Sequence, residues 1–212
     1  MESGSATRPL VAVLDYGIGN LRSAQKALEK VGADARLTAD HGLVRDAAGV
    51  VLPGVGAFGR CMEALRGQGL DRATRAAIAA EQPFLGVCIG MQMLFEGSDE
   101  SPGVEGLGVF PGRIRRLPGG VKHPQMQWNV IDVKRPCSLL AGLPEPTWAY
   151  FVHSYAADAD PADVVATCDY GGPVTAMVGR DRIWATQFHP EKSSAAGLAL
   201  LANFVELCAS NT

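Results

Sequence analysis

Residues 83–96 read PFLGVCIGMQMLFE. An apolar run climbs to a single cysteine bracketed by glycines, and a helix-like pattern follows. Pro83–Val87 reads as a buried strand, and the residues after Cys88 read as the start of a helix. A strand, a tight glycine turn and a helix in succession form the repeating unit of a parallel sheet covered by helices. Cys88 itself has two readings here. It is either a small buried hydrophobe, the usual role of a free cysteine, or a nucleophile held on a sharp turn.

The same unit recurs upstream. LVAVLDYGIGN (10–20) is a β-branched apolar run that ends in an Asp and a glycine turn. It leads into NLRSAQKALEKVG, where Leu21, Ala24, Leu28 and Val31 recur at helical spacing. ADARLT (33–38) and GVVLPGVGAF (49–58) read as the next strands, the second closing on another glycine-rich turn. GRCMEALRGQGLDRATRAAIAAEQ (59–82) is helical with a break near Gly67–Gly69. From about Gly103 the texture changes. GLGVFPGRIRRLPGG, WNVIDVK, TWAYFVHSY and DVVATCDYGGPVTAMVGRDRIWATQFHP are strand-like runs punctuated by Gly, Pro and Asp, expected to be antiparallel strands that extend or flank the sheet. SSAAGLALLANFVELCAS (193–210) is a closing amphipathic helix with Ser193 or Ser194 as N-cap. The expected fold class is α/β: a mostly parallel central sheet flanked by helices, with antiparallel strands in the C-terminal half.

The 212 residues suit one domain spanning 1–212, with no internal repeat or linker. Hydrophobic residues at 47% and charged residues at 19% supply a large core. A net charge of −3 gives no electrostatic case for nucleic acid. No apolar run reaches the roughly 18 residues that span a bilayer. The opening MESGSATRPL lacks the apolar region of a signal peptide, so residues 1–8 are expected to be a disordered lead-in and the protein cytoplasmic. The five cysteines (Cys61, Cys88, Cys137, Cys168 and Cys208) are spread widely without a C-x-x-C pair, which argues against a disulfide framework and against structural zinc.

Ligands of open α/β sheets bind at the carboxyl ends of the strands. Glycine turns mark that edge at Gly17–Gly19, Gly54–Gly56 and Gly86–Gly90. G-V-C-I-G (86–90) is the cysteine form of the nucleophile elbow, a strained strand-to-helix turn that exposes its central side chain. It places Cys88 at a helix N-terminus, which favours the thiolate, and turns the Ile89 N–H toward any oxyanion that forms. Gly54, Val55 and Gly56 offer further backbone donors at the same edge.

A thiol nucleophile needs a base, and four histidines are available. His41 and His123 read as loop residues, and His153 as a structural histidine on a strand. His189, just past a strand and before the last helix, is the best base. Glu191 follows two residues on, and in extended backbone i and i+2 point the same way. Pro190 biases His189 toward that geometry. Glu191 can then hold the imidazole tautomer. The alternative is a turn followed by a helix-capping glutamate. H-x-E also occurs in zinc deaminases, but their P-C-x-x-C partner is missing, so no metal is expected.

LGVCIGMQ, PGVGAF and FHPEKS resemble the triad glutamine amidotransferases over nearly the whole chain. DYGIGNL, QWN (127–129), YFVHSY (150–155) and HPEKSS narrow the resemblance to the glutaminase subunits of imidazole glycerol phosphate synthases. That resemblance implies hydrolysis of glutamine to glutamate and ammonia through a glutamyl thioester on Cys88, with no cofactor. It also implies an inward-turned peptide at 54–56. Gln92, Glu100, Ser154 and Tyr155 would position glutamine. Asn20, Trp128 and Lys192 would face a (β/α)8-barrel cyclase that consumes the ammonia. Two departures stand out: P-H-M-G-W-N reads P-Q-M-Q-W-N here, with Gln125 and Gln127, and Ile18 replaces a proline found in some members. Competing readings are another amidotransferase subunit, a standalone cysteine hydrolase, and a binding protein whose Cys88 is inert or redox-sensing.

Overall fold

A computed structural model describes residues 8–210. The expected disordered lead-in therefore lies outside the described residues, apart from Arg8. The first half alternates as read: β1 (Leu10–Leu14), α1 (Leu21–Lys30), β2 (Asp34–Thr38), α2 (His41–Asp46), β3 (Gly49–Gly54), α3 (Phe58–Gly67), α4 (Leu70–Ala79), β4 (Phe84–Cys88) and α5 (Ile89–Met93). The second half contains β5 (Gly112–Arg116), β6 (Gln125–Val130), β7 (Asp132–Val133), β8 (Trp148–His153), β9 (Tyr155–Ala159), β10 (Val164–Asp169), β11 (Pro173–Arg180) and β12 (Ile183–Thr186), and closes with α6 (Ser194–Ala209).

Eight strands form the main sheet in the order β2-β1-β3-β4-β12-β11-β10-β7. The five from β2 to β12 are parallel, and β11, β10 and β7 continue the sheet antiparallel. β5/β9 and β6/β8 are separate antiparallel ribbons, so the C-terminal strands both extend and flank the sheet. The chain steps from β1 outward to β2 and then back across to β3 and β4. With right-handed crossovers, that reversal puts α1 on one face and α2, α3 and α4 on the other. Buried β-branched and aliphatic residues of the central strands explain why β1, β3 and β4 sit mid-sheet: every residue of β3 and β4 is buried.

Three expectations are corrected. His41 is not in a loop; it opens α2, whose start is fixed by Asp40 accepting the Leu43 N–H at 2.9 Å. Six residues are too few to show a helical period. TWAYFVHSY, read as a strand-like run, divides between two strands, because the chain changes partner at Ser154, from β6 to β5. Ser193 holds the N-cap position of α6 as read, but not by the side-chain cap expected. Its hydroxyl instead donates to the His189 carbonyl at 2.6 Å and accepts the Tyr150 N–H at 3.0 Å. Among the described residues no helix is long and apolar enough to cross a membrane.

Candidate active site

β4 ends at Cys88, whose backbone has φ 55° and ψ −110°. A positive φ is sterically costly for a residue with a Cβ, and such strain is held only where surrounding packing over-determines it. The packing here is tight. A Cβ added to Gly90 would lie 1.7 Å from the Leu52 carbonyl oxygen of neighbouring β3. Only glycine lets the turn after Cys88 lie against that strand. α5 is just five residues long and wholly buried, so any positive field at Cys88 comes from the free N–H groups of its first turn.

His189 faces the same cavity from the chain beyond β12. Its backbone is pinned on both sides: its N–H donates to the Tyr150 carbonyl at 3.0 Å, and its carbonyl accepts from Ser193. Nδ1 lies 2.8 Å from Glu191 Oε1, with side chains only 2% and 6% exposed. Nδ1 therefore donates to the carboxylate, which leaves Nε2 for the cavity side. Nε2 is buried with no hydrogen-bond partner among the described residues. The geometric reason differs from the one read in the sequence. His189 is extended, but Pro190–Lys192 form a 3₁₀ turn, and that turn carries Glu191 back under the ring. Burial works against a charged imidazole, yet the nearby Cys88 sulfur and the Glu191 carboxylate outweigh it, and His189 is pushed up to about 10. His153, deeply buried, is instead pulled down to about 4. Nδ1 donates to the Tyr155 carbonyl at 2.7 Å and Nε2 lies 3.0 Å from the Gln125 side-chain amide, so both ring nitrogens have protein partners, although the ring also lines the cavity shared by Cys88 and His189. Gln125, where the resembled motif has histidine, is thus its buried partner.

Cys88 and His189 border one cavity of about 260 Å³, shared with Val55, Gly56, Ile89, Gln92, Glu100, Ser154 and Tyr155. That is near the small end of ligand sites. Gly54 stands apart from this cavity. It borders a crevice behind it, with Asn20 and Glu191. Gln92 Nε2 donates to the Tyr155 carbonyl and to Gln187 Oε1, both at 3.0 Å, tying α5 to β9. Glu100 Oε2 accepts the Phe58 N–H at 2.8 Å, so the first turn of α3 orients that carboxylate. Among the described residues no group of three or more His, Cys, Asp and Glu side chains is placed to hold a metal ion.

The residues expected at a partner surface are solvent-facing. Asn20 and Lys192 are exposed, and Trp128 is 45% exposed. Lys192 Nζ lies 6.0 Å from the Tyr150 ring centre, and the Trp128 and Tyr150 rings meet edge-on at 6.0 Å. The β6/β8 register pairs Met126 with Val152, Trp128 with Tyr150, and Val130 with Trp148, so all six share one face. Met126 and Trp148 are 62% and 49% exposed. The sequence pattern did not single out Met126 or Trp148, nor Gln187, a buried residue whose Nε2 lies 3.8 Å from Cys88 Sγ. Gln187 precedes His189 by two residues in TQFHP, but no local signal distinguishes a ligand of sulfur from a strand-end glutamine.

The chain is also similar to known proteins. The family described as Glutamine amidotransferase class-I matches residues 12–208. The chain is 48% identical over 195 residues to a protein of Symbiobacterium thermophilum named imidazole glycerol phosphate synthase subunit HisH, covering 92% of each chain. It is 50% identical over 207 residues to a protein of the same name from Methylococcus capsulatus, covering 92% of this chain and 95% of that one. Among solved structures it is similar in fold to PurLQS from Thermotoga maritima, with a TM-score of 0.74 at 18% identity over 97% of this chain and 99% of that one.

Proposed function

The chain belongs to the class-I glutamine amidotransferase family, and from that membership we propose how its residues release ammonia and where the ammonia goes. It is the glutamine amidotransferase subunit of an imidazole glycerol phosphate synthase, an enzyme of histidine biosynthesis. The observation that carries the assignment of roles is the strained elbow at Cys88 sharing one cavity with the buried His189–Glu191 pair.

The Cys88 thiolate attacks the side-chain amide carbon of glutamine, forming a C–S bond while the carbonyl π electrons move to oxygen. The N–H of Ile89 and the backbone donors at Val55 and Gly56 receive that oxyanion. On collapse the C–N bond breaks, and His189 gives its Nε2 proton to the leaving nitrogen. The γ-glutamyl thioester remains. Neutral His189 then takes a proton from water as the oxygen attacks, and collapse returns glutamate and the thiolate. Glu191 holds the ring so that Nε2, and not Nδ1, exchanges the proton. Glu100 meets the substrate ammonium, with Gln92, Ser154 and Tyr155 completing the amino-acid end.

The ammonia passes to a cyclase subunit with a (β/α)8-barrel fold, which uses it to form imidazole glycerol phosphate and aminoimidazole carboxamide ribotide. Ammonia protonates readily in water, so a covered interface has a chemical reason. The apolar β6/β8 face supports this reading. Exposed aromatic patches of that kind mark binding surfaces, and Val152 carries the patch to the cavity wall. Asn20, Trp128 and Lys192 lie on the cyclase side. The whole chain acts as one catalytic domain, in the cytoplasm.

A thioester can be intercepted. With hydroxylamine present, the complex with its cyclase is expected to convert glutamine to γ-glutamyl hydroxamate, and Cys88→Ala to give none. Hydroxamate formation that survives Cys88→Ala would remove Cys88 from the nucleophile's role.

A further inference from the structure

Two buried side chains outside the triad grip the end of β3 and the residue that follows it. The Tyr16 hydroxyl, from the β1–α1 connection, donates to the Pro53 carbonyl at 2.8 Å. The Cys61 thiol, from α3, donates to the Val55 carbonyl at 3.4 Å. Both side chains are buried, Tyr16 at 2% exposure and Cys61 at 0%, yet neither borders the cavity that Val55 and Gly56 line. The two bonds therefore draw the carbonyls on either side of the Gly54–Val55 peptide away from the cavity. In a trans peptide the C=O and N–H point in opposite directions. Fixing the Val55 carbonyl toward α3 thus also fixes which way the Gly56 N–H faces.

We propose that Tyr16 and Cys61 are positioning residues for the oxyanion turn, holding the Pro53 and Val55 carbonyl oxygens out of the cavity so that developing negative charge meets N–H groups. The inference rests on the glutaminase reading given above. Its physical basis is that preorganised donors stabilise an oxyanion only if no competing dipole can rotate toward it. The β3 ladder holds Pro53 beside Val87 and Gly54 beside Cys88, but the chain past it is open: Gly56 is exposed and adopts φ +97°. Burial pushes the Cys61 thiol up, so it stays protonated and able to donate at neutral pH. Tyr16 also fills the space beside Gly54, where an added Cβ would lie 2.7 Å from the hydroxyl. Neither residue contacts the reacting atoms, so neither is catalytic.

The test is steady-state glutaminase kinetics at saturating cyclase and nucleotide ligand, for wild type, Tyr16→Phe, Cys61→Ala, Cys61→Ser and Cys88→Ala. Tyr16→Phe and Cys61→Ala are each expected to lower kcat about fivefold, the scale of one neutral hydrogen bond, with KM for glutamine unchanged. Cys61→Ser retains a donor and is expected to recover most of the loss. The double variant should lose less than the product of the singles, because both bonds restrain one turn. An unchanged or raised kcat in both single variants overturns the proposal, as does a rise in KM alone, or a Cys61→Ser variant no better than Cys61→Ala. Should Cys61→Ala fail to fold, the near-isosteric Tyr16→Phe decides the matter alone. Absence of Cys88-dependent glutamate release in wild type would instead overturn the glutaminase reading, and this inference with it.

Discussion

At the scale of single residues, His189 is where buried charge and chemistry meet. Its pKa is raised from 6.5 in the unfolded chain to about 10 in the fold. The stability it contributes is therefore complete below about 6.5 and is lost as pH rises through about 10, since the folded state holds the proton that the unfolded state has released. Melting temperatures measured from pH 6 to pH 10.5 are expected to fall more steeply for wild type than for His189→Asn; parallel curves would contradict this. The nearness of His189 to Glu191 was legible because H-P-E is a local word, but the 3₁₀ turn that brings them together was not, since the sequence reading had the two residues on one side of extended backbone. The residues that hold the site were not legible, because their partners are remote in sequence. Tyr16 reaches Pro53 across 37 positions, and Gln187 reaches Cys88 across 99. No local pattern encodes such pairs.

At the scale of elements, the elbow depends on how closely β4 and α5 approach β3. Gly90→Ala would drive a Cβ into the backbone oxygen of Leu52, which cannot move without breaking the β3 ladder. Overpacking of this kind costs about 1–3 kcal/mol and often more when backbone is the obstacle, so a clear loss of melting temperature with loss of glutaminase activity is expected. Gly67→Ala is the control. Gly67 ends α3 with nothing within 4 Å of the added methyl, so denaturant unfolding should show no loss and a gain of up to about 1 kcal/mol. A Gly90→Ala variant as stable as wild type would mean the elbow is looser than described. The parallel half was readable from apolar runs alternating with helical spacing. The β8–β9 step at Ser154 was not, because adjacent strands of similar composition give no sign of which sheet each one joins.

At the scale of the whole molecule, the parallel sheet carries the thiol and the imidazole to one edge, while the β6/β8 ribbon extends an apolar face from that edge outward. The α/β class and its antiparallel C-terminal strands followed from the sequence texture, since the change from helical spacing to Gly- and Pro-punctuated runs near Gly103 is a change in backbone demand. The six-residue apolar face did not follow from it, because pairing across β6 and β8 depends on register. The central claim is that Cys88 releases ammonia for a partner and not for its own product. The direct measurement is glutamate release from glutamine by the protein alone, and with the cyclase and its nucleotide ligand, beside Cys88→Ala. The account predicts low release alone, strong stimulation in the complex, and none from Cys88→Ala in either state. Equal release with and without the cyclase would contradict it.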